Sequence, residues 1–261
     1  MTTRRIPKTS VYFWLMIFFQ YLPIAMLVIF SFNDSATLTF PLQGFTLMWY
    51  AEMLNSVQLL ESVRNSLTLA IVSSLLATLL GTMIAIAVTR FEFRGKQALL
   101  ALTTLPLIIP YIVIGVALLM LLRALDVSLS LWTVLLAHIV VSLPVTTLVV
   151  STRLLGFPDS VVNAALDLGA NFWTMLWRIL LPMSAPALVA AYLIAFTISF
   201  NEFFVTNFLI GSDPTLPVYI FSQLRNTARL PVTITVTAVI MVASVVLLLV
   251  AASLTQYGRK S

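Results

Sequence analysis

Residues able to do chemistry are few in this chain, and the scarcity itself is informative. There is one histidine, His138, and no cysteine. Disulfides, thiolate chemistry and an intrachain multi-histidine metal centre are therefore excluded. A nucleophile–base constellation of the kind an enzyme needs has almost no members to draw on, so no catalytic residue, metal site or cofactor is expected. The acid that stands out is Glu202, in the run Phe200-Asn201-Glu202-Phe203-Phe204. It interrupts an apolar stretch, where a carboxylate costs roughly 2.5–3.5 kcal/mol on insertion scales and usually serves a function. A carboxylate among rings suits a cationic solute, through charge and through cation–π contact with Phe200, Phe203 and Phe204. The alternative puts Glu202 at an outer interface, paired with Arg225 or Arg229, and residue types alone do not choose between the two. Asn201 and His138 are the other polar candidates for a path through the apolar region. A buried imidazole more often bonds a neighbouring helix.

The elements that must position these residues are membrane helices. Of the 261 residues, 61% are apolar and 9% charged, against about 25% charged in soluble domains. A bilayer core of about 30 Å needs about 20 apolar residues in a helix, and helix satisfies every backbone group there. No apolar–polar alternation of the kind a membrane β-barrel shows is present. The expected fold is an all-α integral membrane protein, one domain over residues 1–261. Six transmembrane helices are expected near 11–32, 66–89, 98–122, 131–150, 185–210 and 232–254, the fifth interrupted by Asn201 and Glu202. With the N-terminus inside, ten of the 14 basic residues (Arg4, Arg5, Lys8, Arg90, Arg94, Lys96, Arg153, Arg178, Arg259, Lys260) fall on the inner side. That bias makes both termini cytoplasmic. It also accounts for the net charge of +5 without nucleic acid. The first apolar run is too long for a signal-peptide core and is read as an uncleaved span.

Loops carry the remaining signals. After Thr46, a plausible N-cap, Leu47, Tyr50, Met53, Leu54, Val57 and Leu60 recur at helical spacing, predicting one amphipathic helix on the outer surface. Gly211-Ser212-Asp213-Pro214 marks a turn before a short segment through Tyr219 and Leu224. Pro106 and Pro110 can bend the third span by freeing carbonyls. The inner loop of residues 152–182 is the most informative. Pro158, Asp159 and Ser160 suit a helix start, and Gly169 suits a left-handed stop. A second short helix would then lead to Pro182, making a compact knob of two helices.

This loop resembles the signature of the permease subunits of ABC importers, in which Glu-Ala-Ala, a Gly four residues on and Ile-x-Leu-Pro further on mark the inner loop. Here Ala164, Ala165, Gly169, Ile179, Leu181 and Pro182 stand at those spacings, with Asn163 in the place of the usual Glu and Asp167 between. The resemblance implies a type I importer permease fold in a bacterial inner membrane, with the knob as a coupling helix seated on a separate ATPase. It further implies a second permease subunit, two ATP-binding cassette subunits that bind ATP and Mg, and an external solute-binding protein. No nucleotide loop is present in the chain itself: Gly95-Lys96 is followed by Gln97, and Arg90 stands where such a loop needs its first Gly. Phe30-Ser31-Phe32-Asn33, Gly44-Phe45-Thr46, Trp49-Tyr50, Phe93-Arg94-Gly95-Lys96 and Ala165-Leu166-Asp167-Leu168-Gly169-Ala170 are similar to the spermidine/putrescine branch. They rank polyamines first, with opines, phosphonates and amino-acid-like solutes as alternatives. A secondary transporter, which would show inverted repeats of broken helices, is the rival of another class.

Overall fold

A computed structural model describes residues 8–35 and 40–257. The basic residues Arg4, Arg5, Arg259 and Lys260 lie outside that range. The described chain is helical throughout, with an isolated bridge between Asn33 and Phe45. Its contacts divide it into two compact units, residues 1–60 with 220–261, and residues 61–219.

The first unit is built on α1 (Lys8–Phe30), α2 (Met48–Asn55) and α12 (Leu230–Tyr257). The segment leaving α1 folds into a tight knot. Trp49 donates its indole N–H to Asn33 O at 2.8 Å, and Asn33 Oδ1 accepts from Gln43 N at 3.1 Å. Ser31 Oγ lies 2.7 Å from Tyr50 OH, and the rings of Phe32 and Tyr50 are 5.2 Å apart. The Phe-Ser-Phe-Asn and Trp-Tyr pairs of the sequence are thus two halves of one packing motif. The expected amphipathic helix is two elements instead. Ser56, at ψ 101°, ends α2, and Val57 and Leu60 belong to the long helix that follows. Thr46 Oγ1 accepts from Met48 N at 3.1 Å at the start of α2.

In the second unit, α3 (Val57–Arg90) leads to α4 (Lys96–Thr104), a 3-10 turn (Leu105–Leu107), α5 (Tyr111–Ala124) and α6 (Leu131–Leu155). Next come α7 (Asp159–Asp167), α8 (Phe172–Met175), a π turn (Leu176–Leu180), α9 (Leu181–Asn201), α10 (Phe204–Leu209) and α11 (Leu216–Gln223). The long helix α6 is the spine, buried over 61% of its apolar window. It meets α3 through small residues, as helices in lipid do. Thr146 Oγ1 donates to Ala77 O at 2.9 Å, and a Cβ added at Gly81 would fall on that same Oγ1. One apolar core joins Leu69, Ile114, Val134, Val141, Val205 and Leu209. A second joins Ala85, Val150, Leu154, Phe157, Leu180 and Ala191.

Three spans differ from their expected limits. The second begins at Val57, because only Ser56 separates α2 from α3. The third is not continuous: Lys96–Leu107 and Tyr111–Ala124 meet at 109°. Pro110, at φ −56° and ψ 134°, is the N-cap of α5; it has no N–H to offer and pushes its predecessor out of helix. The fifth starts well before residue 185. No break falls at Pro182, because α8 passes through the π turn into α9, and Phe172–Asn201 is one apolar helix. The second short helix of the expected knob is therefore the foot of a span. Among the described residues, four helices are long and apolar enough to cross a bilayer, and five if the bent pair is one span. The 28-residue α12 is apolar over its described side chains, Leu230–Ala243.

Candidate functional site

Two regions of the second unit gather the residues singled out by sequence. The first is the loop after α6. Helix α7 is short and open: Asn163, Ala164, Leu166 and Asp167 are exposed, Ala165 turns inward, at 6%, and Val161 packs half-buried on the second core. Its end is a Schellman motif. Ala170 N donates to Ala165 O at 2.9 Å and Gly169 N to Leu166 O at 2.8 Å, with Gly169 at φ +79°. A Cβ at Gly169 would meet nothing within 4 Å, so conformation rather than space demands glycine here. Leu168, 89% exposed, projects from the turn. Asn171 then caps α8, its Oδ1 accepting from Thr174 N at 2.8 Å.

The knob is tied to the helices by Phe157, 4% exposed. The guanidinium groups of Arg90 and Arg153 each lie 5.9 Å from its ring centre, within cation–π reach. Arg90 Nη2 also donates to Leu154 O at 3.1 Å, and Arg153 Nη2 to Met183 O at 2.9 Å. Two cations thereby bond carbonyls at the ends of α6 and α9, where the helix dipole favours them at α6's C-terminus. Ile179 and Leu181 are half-buried at the foot of α9, and Pro182 is exposed there.

The second region is the break between α9 and α10. The backbone leaves helix at Glu202 (ψ 117°) and re-enters at Phe204. Glu202 Oε1 accepts from Val205 N at 2.9 Å. Oε2 accepts from Thr206 N at 2.8 Å and from Thr206 Oγ1 at 2.9 Å. A six-residue helix is capped by a carboxylate. His138 Nε2 lies 2.8 Å from Thr206 Oγ1, and Nδ1 2.7 Å from Ser199 Oγ. The side chains of His138 and Glu202 are each 1% exposed. On the other side of the break, Asn201 is exposed and donates its amide to Thr197 O at 2.9 Å. Phe200 stacks on Phe196 at 5.9 Å, and Phe203 meets Phe204 edge-on at 5.5 Å.

Residues 77–257 match the family of binding-protein-dependent transport system inner membrane components. The chain belongs to this family. It is an ABC importer permease subunit, embedded by several helices in the inner membrane. The permease is 37% identical over 218 residues to the spermidine/putrescine transport system permease protein PotC of Escherichia coli K12, covering 83% of this chain and 80% of that one. It is 36% identical to the putrescine permease PotI of the same strain, over 79% and 76%. Among solved structures, a bacterial ABC transporter that imports the acidic polysaccharide alginate superposes with TM-score 0.71 at 16% identity, covering 92% of this chain and 93% of that one. Subunits of this family are not enzymes, and a partner ATPase binds the ATP.

The permease brings Glu202 and His138 together, although they are 64 positions apart in sequence. It sets Asn201 and Phe200 apart from them on the more open side. The hydrogen bonds of the Glu202 carboxylate run to Val205 and Thr206 on α10, while its backbone N–H donates to Ser199 O on α9. Sequence reasoning missed Ser73, Ser199 and Thr206, which complete the buried network, and Arg90, Arg153 and Phe157, which anchor the knob. Their signal was faint. Hydroxyls at helical spacing in α3 (Ser62, Ser66, Ser73) mark a packing face but name no partner.

Proposed function

We propose that this permease forms half of the translocation path of an importer for polyamines or related small amines. In this reading the chain is one domain with six spans and cytoplasmic termini. It pairs with a second permease, receives solute from a binding protein, and couples through residues 156–182 to two ATPase subunits. The observation that carries the solute reading is the 37% identity over most of the length of a spermidine/putrescine permease.

The coupling reading is supported by geometry. Asn163, Ala164, Asp167 and Leu168 stand outward on a short helix with a rigid Schellman stop, and Ala165 faces in. A helix so presented can seat in a groove and pass rigid-body motion to the spans, through Phe157 and the two arginines. Gly169, Ile179, Leu181 and Pro182 shape its far side and its junction with α9. Along the path, Phe200, Asn201 and Phe203 are the residues of the break that would meet solute, with Glu202 and His138 behind them.

Gentle detergent extraction of the tagged chain from native membranes tests the assembly. Co-purification of a nucleotide-binding ATPase and a second multi-span protein, identified by mass, is expected. Recovery of the chain alone, transporting solute in liposomes without ATP, would overturn the reading in favour of a self-sufficient transporter.

A further inference from the structure

The buried polar groups at the span-five break form a chain of hydrogen bonds that crosses four helices. Ser73 Oγ donates to Ser199 Oγ at 2.8 Å. Ser199 then has a single proton left to give, and the remaining atom in reach is His138 Nδ1, at 2.7 Å. That nitrogen accepts, so the ring proton sits on Nε2 and is donated to Thr206 Oγ1 at 2.8 Å. Thr206, having accepted, shares its own proton between Glu202 Oε2 at 2.9 Å and the Glu202 backbone O at 3.1 Å. The chain runs in one direction, from α3 through α9 and α6 to α10, and ends on a carboxylate. Ser199 and His138 are the links that both accept and donate across helices. His138 Nε2 is 3.7 Å from Glu202 Oε2, beyond hydrogen-bond range, so Thr206 is the bridge.

Helix α10 depends on this chain at its start and on α6 again at its end, where Thr133 Oγ1 donates to Leu209 O at 2.8 Å. Six residues are too few to hold a helix alone. Glu202 supplies acceptors for two of its orphan N–H groups, in an apolar setting where each unmet group would be costly. Both oxygens are then engaged, and the side chain is 1% exposed. Such a carboxylate has no free face for a solute ammonium.

We propose that Glu202 and His138 form a hydrogen-bond clamp that sets the angle and position of the α9–α10 break, and that solute is read instead by the open-side groups Asn201, Phe200 and Phe203. Glu202 and His138 are positioning residues. The solute half of this proposal rests on the amine-import reading; the clamp does not.

The test uses the whole importer complex in lipid vesicles. Glu202→Gln keeps one acceptor for Val205 N but presents an amide donor to Thr206. Backbone amide exchange at residues 204–209 should rise about tenfold, the scale of losing a buried, charge-assisted cap. His138→Leu should produce the same rise, while His138→Gln, which carries an acceptor and a donor on one plane, should restore much of the protection. In uptake, Glu202→Gln should lower Vmax for putrescine and spermidine by the same factor with KM nearly unchanged. Asn201→Asp, which adds a carboxylate on the open side, should lower KM for spermidine more than for putrescine. Ser199→Ala, which leaves the carboxylate intact, gives the same readout if Glu202→Gln does not assemble. Unchanged exchange in Glu202→Gln and His138→Leu would overturn the clamp. A KM for spermidine raised selectively in Glu202→Gln would make Glu202 a solute ligand and overturn the positioning role. If the wild-type complex moves neither amine, the solute assignment fails, and exchange alone still decides the clamp.

Discussion

Single residues carry two sharp demands on this chain. Gly169 holds φ +79°, which a side chain disfavours by about 1–2 kcal/mol, and its open surroundings mean that no clash adds to that. Gly169→Val should therefore insert and assemble normally but loosen the turn after α7. The expected result is ATP hydrolysis by the complex with uptake reduced several-fold; a wild-type ratio of solute moved to ATP hydrolysed would count against the coupling role. Gly81 is the opposite case, a matter of space in a helical φ range. A Cβ there meets Thr146 Oγ1 and Cβ, and overpacking of this kind costs about 1–3 kcal/mol. Gly81→Ala should lower the thermal midpoint of the detergent-extracted protein, and an unchanged midpoint would mean that α3 and α6 can part without penalty. Gly169 was legible in sequence, because a glycine at the end of a nine-residue amphipathic run announces a left-handed stop. Gly81 was not, since its constraint comes from a helix 65 residues away.

At the scale of elements, the knob and the bent third span show how local and packing effects divide. The start and stop of α7 follow from Pro158 and Gly169 alone. What lies beyond it does not, because the continuity of α8 with α9 depends on the π turn at 176–180 absorbing Pro182. The 109° bend was foreshadowed by Pro106 and Pro110, but prolines also make mild kinks inside spans, so spacing could not say that the path turns. The anchor of α7 is a packing feature with a measurable consequence. Phe157→Ala removes a ring from between Arg90 and Arg153, and large-to-small changes of this size cost about 3–5 kcal/mol in a closed core. The loop of residues 156–171 should become several-fold more sensitive to limited proteolysis while the helices stay intact. Unchanged cleavage would show that the two arginines do not hold the knob. The network of Ser73, Ser199, His138, Thr206 and Glu202 was illegible for a related reason: its members lie on four helices that only packing brings together.

For the molecule as a whole, composition settled class early, since 61% apolar residues with 9% charged admit little besides a membrane protein. Family membership follows from the match over residues 77–257, and the loop spacing of Ala164, Ala165 and Gly169 already pointed there. The solute is the least local property of all. In the proposed assembly it would depend on how the break between α9 and α10, a second permease and a binding protein combine, and 37% identity to a spermidine/putrescine permease is the support for the amine reading. The most direct measurement is uptake by the complete importer in liposomes, with ATP inside the vesicles and the binding protein outside, following labelled putrescine. The account predicts ATP-dependent accumulation that unlabelled spermidine suppresses and 2-aminoethylphosphonate leaves untouched. Accumulation of a phosphonate or an opine that neither polyamine suppresses would contradict it.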